Sequence, residues 1–361
     1  MIKIIDKYIL KQFIITFIFC LFALCIIFLV VNLLESLDDF LDKKASFEIV
    51  YKYYLYFLPE IIKLLTPVAT LLSTLFTVGK LSTMNEIIAM KSGGFSLYRL
   101  MQPLIIFSIL LSIGQLYFSG WIVPKANGKK FQIENQYLHR NVTGGPIHNL
   151  YIRDNPYRNL LMQYYDSDTK TGYTVAVEEY SSERSPRLLK RIEARTIVWD
   201  SVHSKWNLIS GLIRAYSGTD VIVNSFDSTL IDINITHSQI NKFQQLPDEM
   251  TYPERWDYIQ LLYKGGKDVR QKLIEYHGNF AFPFANFIVI LFGVPFASIR
   301  KKGGIAIQIG AALIISFVYL VFSKVSQTIG YATDLNPIFS GWMANIVFLM
   351  FGLIVLFRTK S

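Results

Sequence analysis

Cysteine is nearly absent from this chain, which has two among its 361 residues, Cys20 and Cys25. Both fall in one long apolar run, where a thiol behaves as a small apolar group and no framework of disulfide pairs can form. The sequence also lacks Gly-x-x-x-x-Gly-Lys-Ser/Thr, the P-loop that binds the phosphates of ATP. We therefore expect no disulfide framework, no metal or cofactor, and no nucleotide hydrolysis by this chain.

Catalytic motifs are missing as well. Neither a His-Glu-x-x-His zinc motif nor a nucleophile elbow occurs, and the five histidines are scattered through the middle of the chain. The apolar runs carry no buried Asp or Glu that could relay protons or sodium ions, which disfavours a carrier driven by either ion. The chain is therefore not expected to be an enzyme, and any transport it performs needs energy from elsewhere.

Apolar residues dominate the composition, with 52% hydrophobic residues, 15% aromatic residues and a mean hydropathy of +0.34. They concentrate in runs that are long enough to cross a bilayer. We predict six transmembrane helices: Phe13–Leu34, Leu64–Val78 extended back toward Tyr54, Leu104–Val123, Phe280–Ile299, Ile305–Phe322 and Ile338–Phe357.

Basic residues indicate the orientation of these helices. Cytoplasmic termini place eleven lysines and arginines on the cytoplasmic side: Lys3, Lys7, Lys11, Lys80, Lys91, Arg99, Arg300, Lys301, Lys302, Arg358 and Lys360. The short outer segments then hold four, Lys43, Lys44, Lys52 and Lys324. The positive-inside rule favours this arrangement, and it accounts for much of the net charge of +9 without nucleic acid.

Residues 125–250 have short alternating apolar patterns and predict an all-β domain outside the membrane. The segment "WDSVHSKW" predicts a hairpin that brings Trp199 near Trp206. In the strand before it, Ile192, Ala194, Thr196 and Val198 are expected on one face.

Residues 251–279 predict a helical connector that leads into the fourth span. Thr251 and Glu254 have the spacing of a capping box, and Gly265-Gly266 marks a break between two helices. The expected apolar stripe consists of Trp256, Ile259, Leu262 and Tyr263.

The segment "GKLSTMNEIIAMKSGGFSLYRLMQP", residues 79–103, is too polar for lipid and too regularly patterned for a slack loop. A capping box of Thr83 and Glu86 would start a short helix that ends at Gly93-Gly94. Ile87, Ile88 and Met90 would give that helix an apolar surface. Glu86 would cap its own helix, contact a partner, or do both. Exposed Ile and Met side chains need a partner or the membrane surface to cover them, which favours docking.

Three spans, a large β domain, three more spans and the N-terminal "IDKYILKQF" resemble the permease subunits of the lipopolysaccharide-export ABC transporter, the family of LptF and LptG. The most specific segments are "LPEIIKLLTPVATLLSTLFTVGKLSTMNEIIAMKSGGFS" at 58–96, "YIQLLYKGGKD" at 258–268 and "FGVPFASIRKKGG" at 292–304. The resemblance implies an α-helical polytopic membrane protein of the bacterial inner membrane with six transmembrane helices and an inserted periplasmic all-β, jelly-roll-like domain. The implied organisation is helices 1–3 in residues 1–124, the β domain in 125–250, the connector in 251–279 and helices 4–6 in 280–361.

The resemblance also implies partners and site residues. The partners are a cytoplasmic ABC ATPase dimer, a paralogous permease subunit, a periplasmic jelly-roll bridge protein, lipopolysaccharide and membrane lipid. Residues about 82–93 would be the coupling helix, with Glu86, Ile87, Met90 and Gly94 at the ATPase.

For the phosphates of lipopolysaccharide, Lys63 is the first candidate, followed by Lys43, Lys44 and Lys52. Lysines at such positions also snorkel to the interface, which is the alternative for the last three. Two rival functions remain open: a membrane receptor or sensor, and a permease of another lipid or lipoprotein ABC export system. The first would need a cytoplasmic output module that the short inner segments do not provide.

Overall fold

A computed structural model describes residues 4–138, 147–182, 186–218, 220–243, 245–298 and 304–358. The chain divides into two compact units, residues 1–138 with 270–361, and residues 139–269. Five of the basic residues predicted to lie inside, Lys3, Arg300, Lys301, Lys302 and Lys360, fall outside the described residues.

The first unit is helical. Its α-helices are α1 (Ile4–Asp42), α2 (Phe47–Thr83), α3 (Glu86–Ser92), α4 (Leu97–Tyr117) and α5 (Val123–Ile133), and, after the second unit, α8 (Arg270–Ala281), α9 (Ala285–Ser298), α10 (Gly304–Ala332) and α11 (Pro337–Arg358). Two π-helical turns, Phe118–Ile122 and Glu134–Leu138, keep the chain helical from Leu97 to Leu138, so the helix passes through residue 125.

Six helical stretches among the described residues are long and apolar enough to cross a membrane, which confirms the six predicted spans. The first, α1, has 39 residues and is therefore about 58 Å long at about 1.5 Å per residue. The hydrocarbon core of a bilayer is about 30 Å thick, so α1 is longer than the span requires. The same holds for α2, with 37 residues, and for the 42-residue stretch Leu97–Leu138.

Apolar side chains of α1, α2, α4 and α9 form the core of this unit. Phe13 of α1, Leu75 of α2 and Val294 of α9 are completely buried. Helix α9 also lies very close to α2, because a Cβ atom at Gly293 would come within 2.8 Å of Thr74 Cγ2. Close backbone approach at a small residue is a usual way for helices to associate in lipid, where the hydrophobic effect adds little.

The second unit contains one antiparallel sheet of six strands, paired in sequence order. The strands are β1 (Ile147–Asn155), β2 (Arg158–Asp166), β3 (Thr171–Tyr180), β4 (Leu188–Asp200), β5 (Lys205–Ser217) and β6 (Asp220–Ile231). Trp199 and Trp206 are paired across the β4–β5 hairpin with ring centroids 5.0 Å apart, as predicted. The helical spans together with this inserted sheet confirm the predicted fold class.

On every strand of the sheet, the positions that face inward change from odd to even or from even to odd at one point along the strand. The pairing skips one residue on each strand there, and these residues form an exposed polar row: Asn149, Gln163, Thr174, Arg195, Ser210 and Asp227. On alternate strands the row residue has a positive φ, at Asn149, Thr174 and Ser210. The register of pairing is the same on both sides of the row, so the row exchanges the two faces of each strand without inserting a residue.

The row corrects the predicted face of β4. Ile192 and Ala194 are buried, but beyond Arg195 the buried residue is Ile197, so Thr196 and Val198 do not continue the inward series. The change of phase at Arg195 is the reason, because it exchanges the two faces of the strand.

The segment after β6 covers the apolar face of the sheet and includes the short helix α6 (His237–Asn241). Ile233, Ile235 and Ile240 of this segment are buried against the strands. Trp206 Nε1 donates a hydrogen bond to the carbonyl oxygen of Ile235 at 2.6 Å, and the Tyr165 hydroxyl lies 2.6 Å from His237 Nδ1. Burial lowers the pKa of His237, which favours the neutral ring.

Helix α7 (Tyr252–Lys264) follows, with the predicted capping box: Thr251 N donates to Glu254 Oε2 at 2.9 Å. The helix ends at the predicted glycine pair, with Gly266 at a φ of 72°. The predicted stripe is only half correct, because Ile259 and Leu262 are buried whereas Trp256 is 39% and Tyr263 67% exposed.

Candidate functional site

The short helix α3 connects the ends of α2 and α4. Helix α2 includes Thr83, whose hydroxyl donates to the carbonyl oxygen of Gly79 at 2.8 Å, and Asn85 then reverses the chain with a φ of 61°. The predicted capping box of Thr83 and Glu86 is therefore wrong, because Thr83 ends the preceding helix and Asn85 stands before α3. Glu86 is the first residue of α3 and its carboxylate is available for other contacts.

The other end of α3 is fixed by a Schellman motif. Phe95 N donates to the carbonyl oxygen of Met90 at 2.9 Å, and Gly94 N donates to that of Lys91 at 2.9 Å. Gly94 has a φ of 79°, a conformation that side chains other than glycine rarely adopt. Met90 and Phe95 both pack on the helical core, as this motif usually requires. Gly94 thus defines where α3 stops.

The two faces of α3 differ. Ile87 is 5% exposed and belongs to the helical core, and Met90 is half-buried. Ile88 is 57% exposed, and Met84 just before the helix is 58% exposed. The exposed apolar surface is therefore carried by Ile88 and Met84, while Ile87 and Met90 hold the helix on the bundle.

Polar contacts join α3 and its neighbours to the start of α1. Tyr8 of α1 donates a hydrogen bond to Glu86 Oε1 at 3.5 Å, and Arg99 of α4 bonds Asp6 Oδ2 at 2.6 Å. The Asp6 side chain is 9% exposed and that of Arg99 31%. The pair is not visible from the sequence, in which Arg99 is only one of the basic inner residues, because nothing local relates positions 93 apart. The pair ties α1 to α4 beside α3.

The four candidate lysines do not form one cluster. Lys43 and Lys44 are exposed in the turn between α1 and α2, and Lys52 pairs with Glu48 one helical turn away. Lys63 is half-buried on α2, eleven residues beyond Lys52, which is about 16 Å along the helix at about 1.5 Å per residue. Lys63 must therefore be considered separately from the other three.

Lys130, which is not among the four candidate lysines, is more deeply enclosed than any of them. The Lys130 side chain of α5 is 6% exposed, pairs with Glu60 of α2, and lies 4.8 Å from the ring centroid of Phe57. One turn away, the Tyr53 hydroxyl donates to buried Glu134 at 3.0 Å. These contacts bind α5 and the π turn after it to α2.

Nearly the whole chain is similar to proteins of one known family. The model of the family "Lipopolysaccharide export system permease LptF/LptG" matches residues 7–358. The chain belongs to this family. It is similar to the protein named lipopolysaccharide export system permease protein LptG of Haemophilus influenzae, with 19% identity over 299 residues, 81% of each chain. It is also similar to LptG of Escherichia coli K12, with 19% identity over 368 residues, 98% of each chain.

Membership of the LptF/LptG family gives the function class of this chain. The family consists of transporter subunits, so a permease that is not itself catalytic is the function class of this chain. Six apolar helices and the family together make it a multi-pass protein of the inner membrane.

Proposed function

We propose that this chain is a permease subunit through which a separate cytoplasmic ABC ATPase dimer drives lipopolysaccharide out of the inner membrane. The observation that carries the proposal is α3, a seven-residue helix held at both ends that still exposes Ile88, with exposed Met84 just before it. Apolar side chains in a polar segment need a partner to cover them. Glu86, half-buried beside Tyr8, adds a carboxylate to the same surface.

The proposal includes an orientation. With α3 and both termini in the cytoplasm, Lys7, Lys11, Lys80 and Lys91 lie on the side that the positive-inside rule favours. The β unit is then periplasmic. Single cysteines in place of Lys91 and Asp166, in a chain without Cys20 and Cys25, should react with a membrane-impermeant reagent from opposite sides.

Exposed apolar faces on α1 and α10 suit membrane lipid and a paralogous permease subunit. Phe22 is 65% exposed and Phe317 67%. In the proposed pair the lipid passes between the two subunits, and Lys63 contacts its phosphates near the outer interface. A photo-crosslinker at position 63 should capture lipopolysaccharide at least several-fold more than one at Phe22. Equal capture would remove Lys63 as a binding residue.

The outer edge of β6, the last strand of the sheet among the described residues, suits a periplasmic bridge protein with a similar β fold. Residues Val221, Ile222 and Val223 of this last strand of the sheet are each about half exposed. An exposed, apolar edge strand can pair with a strand of another chain through its backbone. A proline at Val223 should weaken association with the bridge protein without affecting insertion into the membrane.

The decisive experiment for the ATPase is Glu86→Arg. The variant should insert normally but lose co-purification with the ATPase, or hydrolyse ATP without releasing lipid. Glu48→Arg is the matched control, since its side chain is 73% exposed at the start of α2, far from α3. Normal export by Glu86→Arg would contradict the proposed docking.

A further inference from the structure

Helix α2 contains a proline in its apolar part, at position 67. In a regular α-helix the N–H of residue 67 would donate to the carbonyl oxygen of Lys63, but proline has no N–H. Instead, Gln115 Nε2 donates to this carbonyl oxygen at 2.8 Å. The donor that α2 lacks is thus supplied by a side chain of α4.

Gln115 is held in turn by α9. Asn286 Nδ2 donates to Gln115 Oε1 and, at 2.9 Å, to the carbonyl oxygen of Pro283. The Thr70 hydroxyl of α2 donates to the carbonyl oxygen of Thr66 at 2.8 Å and lies 3.3 Å from Asn286 Oδ1. Gln115 is 5% exposed and both Asn286 and Thr70 are fully buried. These amides link three helices at the level of the proline, where an unpaired polar group would be costly.

The hydrogen-bond network around Pro67 is several helical turns away from α3 along α2. Pro67 is sixteen residues from Thr83, which ends α2, and so is about 24 Å from α3 at about 1.5 Å per residue. Between these points α2 packs closely on α9 at Thr74 and Gly293. Beyond Pro67, α2 carries Lys63 and Glu60. The proline therefore divides α2 into one part that leads to α3 and one that bears the candidate lipid contact.

Helix α4 is also irregular at this level. Its α-helical bonding ends at Tyr117, and the π-helical turn Phe118–Ile122 begins three residues after Gln115. Such π turns are often found where helices change their path at functional sites. Both helices that meet at Gln115 thus depart from regular α-helical hydrogen bonding.

We propose that Pro67, Gln115 and Asn286 form a joint in α2, at which movement of α3 is passed to the part of the helix that bears Lys63. Gln115 is a positioning residue in this joint: it replaces the missing donor in the present conformation, and its bond breaks and reforms as the two parts of α2 change their angle. The joint rests on the proposed function, because it needs α3 to receive movement from an ATPase.

The test uses the complete transporter complex, purified with its ATPase and reconstituted with lipopolysaccharide. Four variants are compared with the native chain: Pro67→Ala, Gln115→Leu, the double variant, and Pro59→Ala as the control proline in the same helix. ATP hydrolysis, lipopolysaccharide released per ATP and the melting temperature are measured for each.

Pro67→Ala gives the Lys63 carbonyl oxygen its ordinary helical donor, so the complex should melt no lower than the native one. It should nevertheless release at least about fivefold less lipid per ATP, a factor that corresponds to the net free energy of one buried hydrogen bond. Gln115→Leu should lower both the melting temperature and the release. In the double variant the loss of melting temperature should be smaller than the sum of the single effects, because the backbone N–H restored at position 67 now serves the carbonyl oxygen. Pro59→Ala should release lipid at the native ratio.

Native release by Pro67→Ala would overturn the joint, and so would an equal loss in Pro59→Ala. Additive melting temperatures in the double variant would show that Gln115 does not replace the donor that Pro67 lacks. Co-purification of the ATPase distinguishes a failure of the joint from a failure of the docking of α3. If Glu86→Arg loses the ATPase while Pro67→Ala exports normally, only the joint fails; if Glu86→Arg exports normally, the docking of α3 fails.

Discussion

Adjacent isoleucines on α3 allow a direct test of which side of the helix docks on the proposed ATPase. Ile87 is 5% exposed within the helical core, whereas its neighbour Ile88 is 57% exposed. Replacing each by alanine removes the same atoms, in one case from the buried side of the helix and in the other from its exposed side. The first change should affect the stability of the permease, and the second its affinity for the ATPase.

The magnitudes follow from the exposed fractions. Replacing a buried isoleucine by alanine costs about 2–5 kcal/mol of unfolding free energy, so Ile87→Ala should destabilise the chain by an amount in that range. Fully burying an isoleucine side chain contributes about 1.5–3 kcal/mol. Covering the 57% that Ile88 exposes should then contribute about 1–2 kcal/mol, or about 5- to 30-fold in affinity.

The assay pairs two measurements on the full-length permease in nanodiscs: unfolding by denaturant, and the dissociation constant for the purified ATPase. Ile314→Ala on α10 is the matched control, because Ile314 is 65% exposed on a candidate span. Ile88→Ala should unfold like the native chain and bind the ATPase more weakly, and the control should change neither quantity. Native affinity of Ile88→Ala would refute the assignment of this face.

Three further predictions concern contacts elsewhere. Asp6→Asn leaves Arg99, whose side chain is 31% exposed, without its charge partner, and should lower the unfolding free energy by about 2 kcal/mol, measured in denaturant. The pKa of His237 lies below its ordinary value of 6.5, so the folded state binds fewer protons than the unfolded one and loses stability as pH falls below about 6.5. Hydrogen exchange of residues 233–243, corrected for intrinsic rates, should therefore quicken at pH 5.5 relative to pH 8, and His237→Gln should abolish that difference. Thr251→Ala should cost about 1 kcal/mol and quicken exchange in the first turn of α7, with no change in the strands.

Elements that depend on local pattern were predictable. The apolar runs predict all six spans, and the turn chemistry between Trp199 and Trp206 predicts their pairing. The capping box at Thr251 and Glu254 requires only residues three apart. These features depend on interactions between close neighbours in the chain, which a sequence displays directly.

Other features depend on residues that are far apart in the chain. Lys130 is enclosed by its pairing with Glu60, seventy positions earlier in the chain, and no local pattern predicts that pair. At α3 the pattern predicts a helix, but not which isoleucine is buried, because the core that covers Ile87 comes from other helices. Thr174 gives no sign of its positive φ, since threonine rarely adopts it. The exchange of inward-facing and outward-facing positions in the sheet therefore cannot be predicted from the sequence of any single strand.

The polar row across the sheet has a practical consequence for probing this domain. On β5 the inward residues are Trp206 and Leu208 before the row, but Ile213 after it, so even and odd positions exchange faces at Ser210. A cysteine scan that assigned alternate positions of a whole strand to the interior would place half of its labels on the wrong side. Positions for spin labels or crosslinkers therefore have to be counted outward from the polar row, separately for the two halves of each strand.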